Sequence, residues 1–460
     1  MNNNNQLVKG LGFYGAVSVA AGTMIGTGIF VVPSRMLHLV GTPWMVILVW
    51  IFAGVLSLFG ALGYAELGAA IPEVGGEYVY LHRAYKPMLG FLYGWTTFII
   101  AKPASIAAIS TAFVLYLSYF FPALAQPIWQ MQVPGLAWTL QFTGLQAGAA
   151  FMIAMLSVLN VFGVRRAGNV QTFFTACKLG VLAILILLGL ALGHGSFAHF
   201  SAAAGIPASG GLLAAFGVAT VAALYAYDGW NNLSMVAGEV ESPQRNIPRA
   251  LIYGTALVIA VYVLVNLAYF YVLAPGSATA TQTIAADAAR QFLGRWGGAF
   301  VAVGVMISAF ATLNGSILSG ARVPYAAARD RLFPSPLAKL HPRFRTPAVS
   351  IVAQAVVAGI FALTGTYDAL YTKVIFSEFL FYALVTAGIF LLRRREPALE
   401  RPYRTWGYPL VPAIFVTLSV LLLVNTFVEQ RSDSLWGLLL VGSGVPAYFL
   451  WRQWQGKKVS

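Results

Sequence analysis

Apolar runs of about 20 residues recur from one end of the chain to the other, parted by short polar connections. That is the length a helix needs to cross the hydrocarbon of a bilayer. The pattern predicts twelve helices, near residues 11–35, 43–71, 88–121, 143–163, 170–191, 211–236, 249–273, 297–321, 347–364, 370–392, 406–427 and 435–452. The runs do not alternate apolar and polar positions, which argues against a membrane β-barrel. Two of the runs are interrupted at matching places in the two halves. Gly22-Thr23-Met24-Ile25-Gly26-Thr27-Gly28 breaks the run Leu11–Val32, and Tyr225-Ala226-Tyr227-Asp228-Gly229-Trp230-Asn231 breaks the run Gly211–Val236. Unpaired backbone groups are costly in hydrocarbon and tolerated where they line a cavity. A matched pair of breaks is therefore the sequence pointer to the central site of a solute carrier.

Composition agrees. The chain has 460 residues, is 59% hydrophobic and carries only 9% charged residues, with mean hydropathy +0.77. Soluble domains average about 25% charged residues, so a separate soluble domain is not expected. The net charge of +14 is mostly a topology signal. With the N-terminus inside, the segments on that side hold Lys9, Arg83, Lys86, Arg165, Arg166, Arg245 and Arg249. They also hold Arg322, Arg329, Arg331, Lys339, Arg343 and Arg345, then Arg393 to Arg395, Arg401 and Arg404, and finally Arg452, Lys457 and Lys458. The other side holds only Arg35, Arg290, Arg295, Lys373 and Arg431. This asymmetry predicts cytoplasmic N- and C-termini in the inner cell membrane. No segment forms the concentrated basic face that nucleic-acid binding needs. Met1–Gln6 lacks the basic start of a signal peptide, so the first span is expected to be retained. The single cysteine, Cys177, excludes an intrachain disulfide and offers no metal cluster. The chain has no Walker A stretch, dinucleotide fingerprint or HExxH motif. Neither an enzyme nor a cofactor or metal is expected.

The breaks and a few buried polar residues carry the candidate chemistry. The first break starts a new helix whose free N–H groups, around Thr27, Gly28 and Ile29, suit a carboxylate. The carbonyls before it, near Met24 and Ile25, suit an ammonium. Its glycines Gly22 and Gly26 equally fit a small-xxx-small packing face. In the second break Asp228 is a functional candidate by depth alone, and three roles compete: proton carrier, ligand or ion partner, and cap of the unwound backbone. Tyr225, Tyr227 and Trp230 offer aromatic surfaces to close over a substrate, or ordinary packing. Lys178, inside the fifth run, is either a proton carrier or a permanent ammonium bonded to carbonyls at a helix break. Lys102 precedes Pro103, so it either satisfies the carbonyl that proline frees or lines the pathway. Ser308, Thr312, Asn314 and Ser316 lie on the part of the eighth run that should cross the cavity, as site or as packing. Glu66 leans structural, and Glu378 is a candidate partner of Lys373. The loop 72–85 should form a short helix, and the charges of 237–249 either gate the inner side or cap the loop.

These segments resemble the amino acid–polyamine–organocation superfamily, and within it a bacterial relative of the L-type amino acid transporters. The resemblance is carried by Gly22-Thr-Met-Ile-Gly-Thr-Gly-Ile-Phe30, by Tyr64-Ala-Glu-Leu-Gly68 with Pro72-Glu-Val-Gly-Gly-Glu-Tyr78, by Tyr225 to Asn231, by Glu239 to Pro248 and by Asn314-Gly-Ser-Ile-Leu-Ser-Gly-Ala-Arg322. It implies an all-α membrane fold with broken first and sixth helices. Two inverted five-helix repeats would cover 10–191 and 211–392, two peripheral helices 406–452, and cytoplasmic tails 1–9 and 453–460. It also implies a secondary transporter of neutral L-amino acids working by alternating access. In it the substrate carboxylate would meet the backbone at Gly26, Thr27 and Gly28. The amine would meet carbonyls near Ile25, Tyr225 and Asp228. Tyr225 would be the aromatic gate, Asn231 would assist closure, and Lys178 would stand in for a sodium ion. Animal L-type transporters carry a glycine where Asp228 stands and pair with a glycoprotein through a loop cysteine; Cys177 is not in a loop, so no such disulfide partner is expected. Exchange is the favoured mechanism. The alternatives are proton symport, a cationic amino acid or polyamine carrier kept open by Asp228, an ion channel, and a membrane receptor or sensor that binds solute without accumulating it.

Overall fold

Two helices laid end to end open the chain, α1 (Phe13–Met24) and α2 (Gly28–Val40), with an unwound turn between them. The computed structural model describes residues 7–132, 139–203, 211–281, 283–365, 367–429 and 431–459, so the two tails expected at 1–9 and 453–460 fall partly outside it. After them come α3 (Pro43–Ala70), the short α4 (Glu77–Ala84), and α5 (Pro87–Thr96) running through a π-helical turn at Thr97–Ala101 into α6 (Lys102–Leu117). A hairpin of β1 (Pro127–Gln132) and β2 (Thr139–Thr143) leads to α7 (Gly144–Val161) and α8 (Val164–Leu192). The second half repeats the broken start with α9 (Gly211–Ala226) and the single turn α10 (Asn232–Met235), followed by α11 (Pro243–Val272). Then follow α12 (Pro275–Ala280), α13 (Ile284–Leu293), α14 (Gly297–Gly320), α15 (Arg322–Arg329), α16 (Ala348–Thr364), α17 (Tyr367–Arg395), α18 (Leu410–Glu429) and α19 (Arg431–Val459).

Among the described residues, ten helical segments are long and apolar enough to cross a membrane. The other two predicted runs form shorter apolar helices, α9 and α16. The first is cut short by the second break; the second stops at Gly365, whose φ of +68° ends it in a left-handed cap. The fold is multi-spanning and helical, with one small departure from the all-α expectation. The β1–β2 hairpin lies in a stretch where glutamines alternate with apolar residues, Trp129, Gln130, Met131 and Gln132, a period that suits a strand and not a span.

The two halves pack with internal pseudo-symmetry. The second span of each half, α3 and α11, run along each other, as do the third spans α6 and α14. The first span of each half then leans on the second span of the other, α1 on α11 and α9 on α3. Close approach depends on small residues. A Cβ on Gly54 of α3 would lie 2.8 Å from Ile259 of α11 and 2.9 Å from the Tyr227 hydroxyl. Large apolar side chains such as Leu48, Phe151, Leu187, Leu213 and Leu450 remain exposed on the outside of the bundle, as lipid contact requires.

Hydrogen bonds sort the loops onto two ends. At one end the Leu11 backbone pairs with that of Glu239–Glu241, Arg83 grips Glu396, Thr346 donates to the Val161 carbonyl, and Trp451 donates to the Arg331 carbonyl. At the other, Ser34 donates to carbonyls of Ala278 and Thr281, and Gln146 to the Leu363 carbonyl. The first end holds most of the basic loops. Two acidic residues of the sequence reading are structural here. Glu66 is buried and accepts from Arg393 at 2.6 Å and from the Thr405 amide at 2.7 Å. Glu239 and Arg322 form a pair at 2.8 Å that is fully buried on both sides. The loop 72–85 does contain the expected short helix, α4. The pairing proposed for Glu378 cannot be followed, because the Lys373 side chain lies outside the described residues.

Candidate substrate site

The two breaks touch. Gly229 has φ +123° and a Cβ there would fall 2.8 Å from the Thr23 carbonyl carbon, so no other residue lets the second break lie against the first. The Thr23 hydroxyl sits 2.7 Å from the Gly229 carbonyl. The Tyr262 hydroxyl of α11 bridges the carbonyls of Met24 (2.9 Å) and Ala226 (3.0 Å), one from each broken helix. Carbonyls that unwinding would orphan are thus satisfied from neighbouring helices, as a non-aqueous interior demands.

Lys178 completes this stitching. Its fully buried ammonium donates to the carbonyls of Gly22 and Ile25, both at 2.7 Å, and lies 3.3 Å from the Ser308 carbonyl and the Thr312 hydroxyl. Ser308 and Thr312 also donate to the Ile25 carbonyl, at 2.7 and 3.1 Å. One side chain therefore ties α8, the first break and α14 together through oxygen atoms alone.

Between the breaks lies a cavity of about 60 Å³ whose walls include Gly26, Thr27, Gly28, Lys102, Tyr225, Asp228, Asn232, Thr312 and Ser316. On it converge the N-terminus of α2, whose opening N–H groups lack a partner in the preceding turn, and the unwound backbone after α9. Tyr225 also lines a second, larger cavity of about 380 Å³, walled by apolar residues such as Val32, Val221, Phe376 and Leu422, with Arg35 and Asp433 among them. A third space of about 10 Å³ is bounded by Lys102, Asn231, Glu378 and Tyr382, room for no more than a single water. Asp228 accepts a 2.5 Å hydrogen bond from the Tyr382 hydroxyl of α17.

Of the residues singled out in the sequence, Met24, Gly26, Thr27, Gly28, Lys102, Tyr225, Asp228, Thr312 and Ser316 meet at the 60 Å³ cavity. The others lie elsewhere. The Ile25 carbonyl, offered for an amine, is taken up by Lys178, Ser308 and Thr312. Tyr227 is buried with its hydroxyl on the Trp50 carbonyl at 3.1 Å. Trp230 packs edge-on against Tyr64 at 4.7 Å. Asn314 joins a polar core, accepting from Asn160 at 3.0 Å and donating to Gln171 at 2.9 Å, while Thr312 and Ser316 of the same helix face the cavity. Asn231 donates to Glu77 at 2.6 Å and borders the smallest space instead.

Glu77, Tyr262 and Tyr382 were not singled out, and each acts across more than 30 residues of chain. Only Glu77 left a sequence signal, as an acidic residue in an aromatic loop. It stands on α4, between two spans, and burial pushes its carboxyl up to about 7, against the pull of the Asn231 hydrogen bond and the Lys102 charge. A raised carboxyl contributes stability that is complete below its unfolded value near 4.5 and is lost as pH rises through about 7. The apparent melting temperature in detergent should therefore fall between about pH 5 and pH 8, and the fall should be smaller in Glu77→Gln. Parallel pH profiles for the two proteins would remove this account.

The fold and the site define a membrane carrier: a multi-pass helical protein whose two halves enclose a small polar cavity between two broken helices. A sequence model of the amino acid permease family matches residues 11–445. The chain is 33% identical to the serine/threonine exchanger of Bacillus subtilis over 454 residues, 97% of each protein. It is 32% identical to the cystine/glutamate transporter of Homo sapiens over 456 residues, 98% of this chain and 87% of the relative. Identity is 33% with the human b(0,+)-type amino acid transporter 1 over 450 residues, 96% of this chain and 88% of that protein. The chain belongs to the amino acid permease family, within the amino acid–polyamine–organocation superfamily. It is a secondary amino-acid transporter, a carrier and not a catalyst, and bacterial and animal relatives resemble it to the same degree. Its single cysteine, Cys177, is a free thiol on α8, which leaves no loop cysteine for a disulfide-linked subunit.

Proposed function

We propose that this protein exchanges neutral L-amino acids across the inner cell membrane by alternating access, without sodium. In this reading it has twelve spans and cytoplasmic termini, built as inverted repeats over 10–191 and 211–392 with two peripheral helices over 406–452. The substrate carboxylate meets the first-turn N–H groups of α2 at Thr27 and Gly28. The amine meets the unwound backbone at Tyr225 and Asp228, and the Tyr225 ring closes the cavity. Asn231 does not touch substrate but links the second break to α4.

The observation that carries the proposal is the Lys178 ammonium, held by oxygens of Gly22, Ile25, Ser308 and Thr312 beside the first break. A cation fixed to the chain there removes the need for a dissociable one. Support also comes from the Bacillus relative, named as an exchanger. The resemblance to L-type transporters favours neutral substrates, and the cystine/glutamate relative is a reminder that side-chain preference varies among such similar chains. Proton symport is the second reading, favoured by the carboxylates of Asp228 and Glu378 near Lys102.

Purified protein in liposomes separates the two. Labelled amino acid should enter several times faster into vesicles holding unlabelled amino acid than into vesicles without it, with or without a pH gradient. Uptake that needs an inward proton gradient and ignores internal amino acid would select symport.

A further inference from the structure

The connection between α6 and α7 carries no charge. From Pro103 to Val164 there is no Asp, Glu, Lys, Arg or His, although the stretch includes backbone that stands outside the two spans. Within it the β1–β2 hairpin is amphipathic. A strand turns successive side chains to opposite faces, so Trp129 and Met131 share one face of β1 and Gln130 and Gln132 the other. The register pairs Trp129 with Phe142 and Gln130 with Gln141, and directly opposed residues lie on the same face. One face is therefore apolar and largely aromatic, the other a row of neutral amides. All six residues of β1 are exposed, Trp129 and Met131 at 51% and 45%. An isolated two-stranded hairpin is marginal in water, and an exposed contiguous apolar face marks a contact surface. None of the three cavities described above is lined by a hairpin residue, so this face does not belong to the substrate site.

We propose that the hairpin is an interfacial anchor, its Trp129, Met131 and Phe142 face laid against lipid at head-group level and its Gln130, Gln132 and Gln141 face turned to water. The depth follows from α7. That helix has 18 residues, near the lower limit for crossing the hydrocarbon, so its first turn stands at the hydrocarbon edge. β2 ends at Thr143, the residue that caps α7, and the hairpin therefore starts where the span stops. Its open strand edges keep it from going deeper, because unpaired backbone groups are excluded from hydrocarbon. Lipid is also the occupant that the composition fits. Aromatic rings favour the head-group level, and a segment without charge has nothing with which to steer or register a protein partner. The face is continuous along the chain with the lipid-facing surface of the bundle. Leu115 in the last turn of α6, and Tyr119 and Phe121 just beyond it, are exposed. Gln146 of α7 donates to the Leu363 carbonyl, which sets the hairpin at the end of the bundle away from most of the basic loops. The anchor is independent of which amino acid is carried and by what mechanism.

The single cysteine makes the test direct. In a Cys177→Ser background, Met131→Cys and Gln132→Cys each take a nitroxide label, and the full-length protein is returned to liposomes of neutral phospholipid. Relaxation of each label by oxygen, which partitions into lipid, is compared with relaxation by a water-soluble nickel chelate. At Met131 oxygen should be more effective by about threefold or more, and at Gln132 the order should reverse, as a two-faced element lying in the interface requires. Nickel dominating at both positions would leave the hairpin in water and overturn the proposal. So would oxygen dominating equally at both, which means immersion in hydrocarbon. A Met131 label that neither reagent reaches is covered by protein, by a second copy if its spectrum is broadened by another label, and either result overturns the lipid contact. If the labelled variants do not reach the membrane, Trp129→Phe decides. The fluorescence lost in that variant belongs to Trp129. Lipids brominated near their head groups should quench it by about half or more, with iodide in the water having little effect. Quenching by iodide without quenching by the brominated lipid would overturn the anchor.

Discussion

Amino-acid transport by Lys178→Ala is expected to fall about tenfold or more below the parent, and the variant is expected to melt at lower temperature in detergent. Both effects come from one cluster. The ammonium supplies charge-assisted hydrogen bonds to the carbonyls of Gly22 and Ile25, the last groups of α1 before it unwinds. Hydrogen bonds to charged groups contribute about 1.5–3 kcal/mol each. Without the ammonium, Ile25 keeps the hydroxyls of Ser308 and Thr312, but Gly22 keeps only Thr312 at 3.3 Å. A loss on the order of 3 kcal/mol in stability follows. The break that positions Thr27 and Gly28 would then be held by fewer contacts. Vesicle uptake and melting curves on the same preparation test this; full transport by the variant would sink the role given to Lys178.

Glu239→Gln is the second variant with a large expected effect, through stability. Arg322 donates from Nε at 2.8 Å and from Nη2 at 3.1 Å to the Glu239 carboxylate, and neither side chain has any exposure. Its Nη1 has no partner among the described residues. Removing one member of a buried pair leaves the other charge uncompensated and costs about 3–5 kcal/mol. The Arg83–Glu396 pair, with about a third of each side chain exposed, is the natural control. Glu396→Gln should change stability by no more than about 1 kcal/mol. Equal shifts in melting temperature for the two variants would show that burial does not separate these pairs.

The spans and the two breaks were legible in the sequence because the physics of lipid writes them locally. An uninterrupted apolar run and a glycine-rich or acidic gap each show within one segment. Lys178 and Lys102 were legible for the same reason, since a charge within an apolar run stands out. What the sequence left open was direction. Tyr225, Tyr227 and Trp230 lie within six residues of one another, yet only the first faces the cavity, because the chain unwinds after Ala226 and helical periodicity no longer fixes where side chains point. Asn314 and Thr312 are two positions apart on α14 and so face different neighbours, α7 and α8 for one and the first break for the other. Ile25 was assigned to the substrate because the partners that claim its carbonyl sit on two distant helices. Tyr382 and Glu77 are ordinary residues in their own segments and become site neighbours only through packing.

The position of Tyr225 has a kinetic consequence. Tyr225 lines both a polar space of about 60 Å³ and an apolar one of about 380 Å³. Side-chain rotation is faster by orders of magnitude than the collective helix motions that occupy microseconds to milliseconds. Two clocks then govern the same route. If Tyr225 is the gate proposed above, a solute would meet and leave the inner chamber many times while the bundle holds one orientation, and occupancy would equilibrate with that side before each slow turn. The amino acid carried across is then chosen by relative affinity and concentration, and its rate by the slow clock alone.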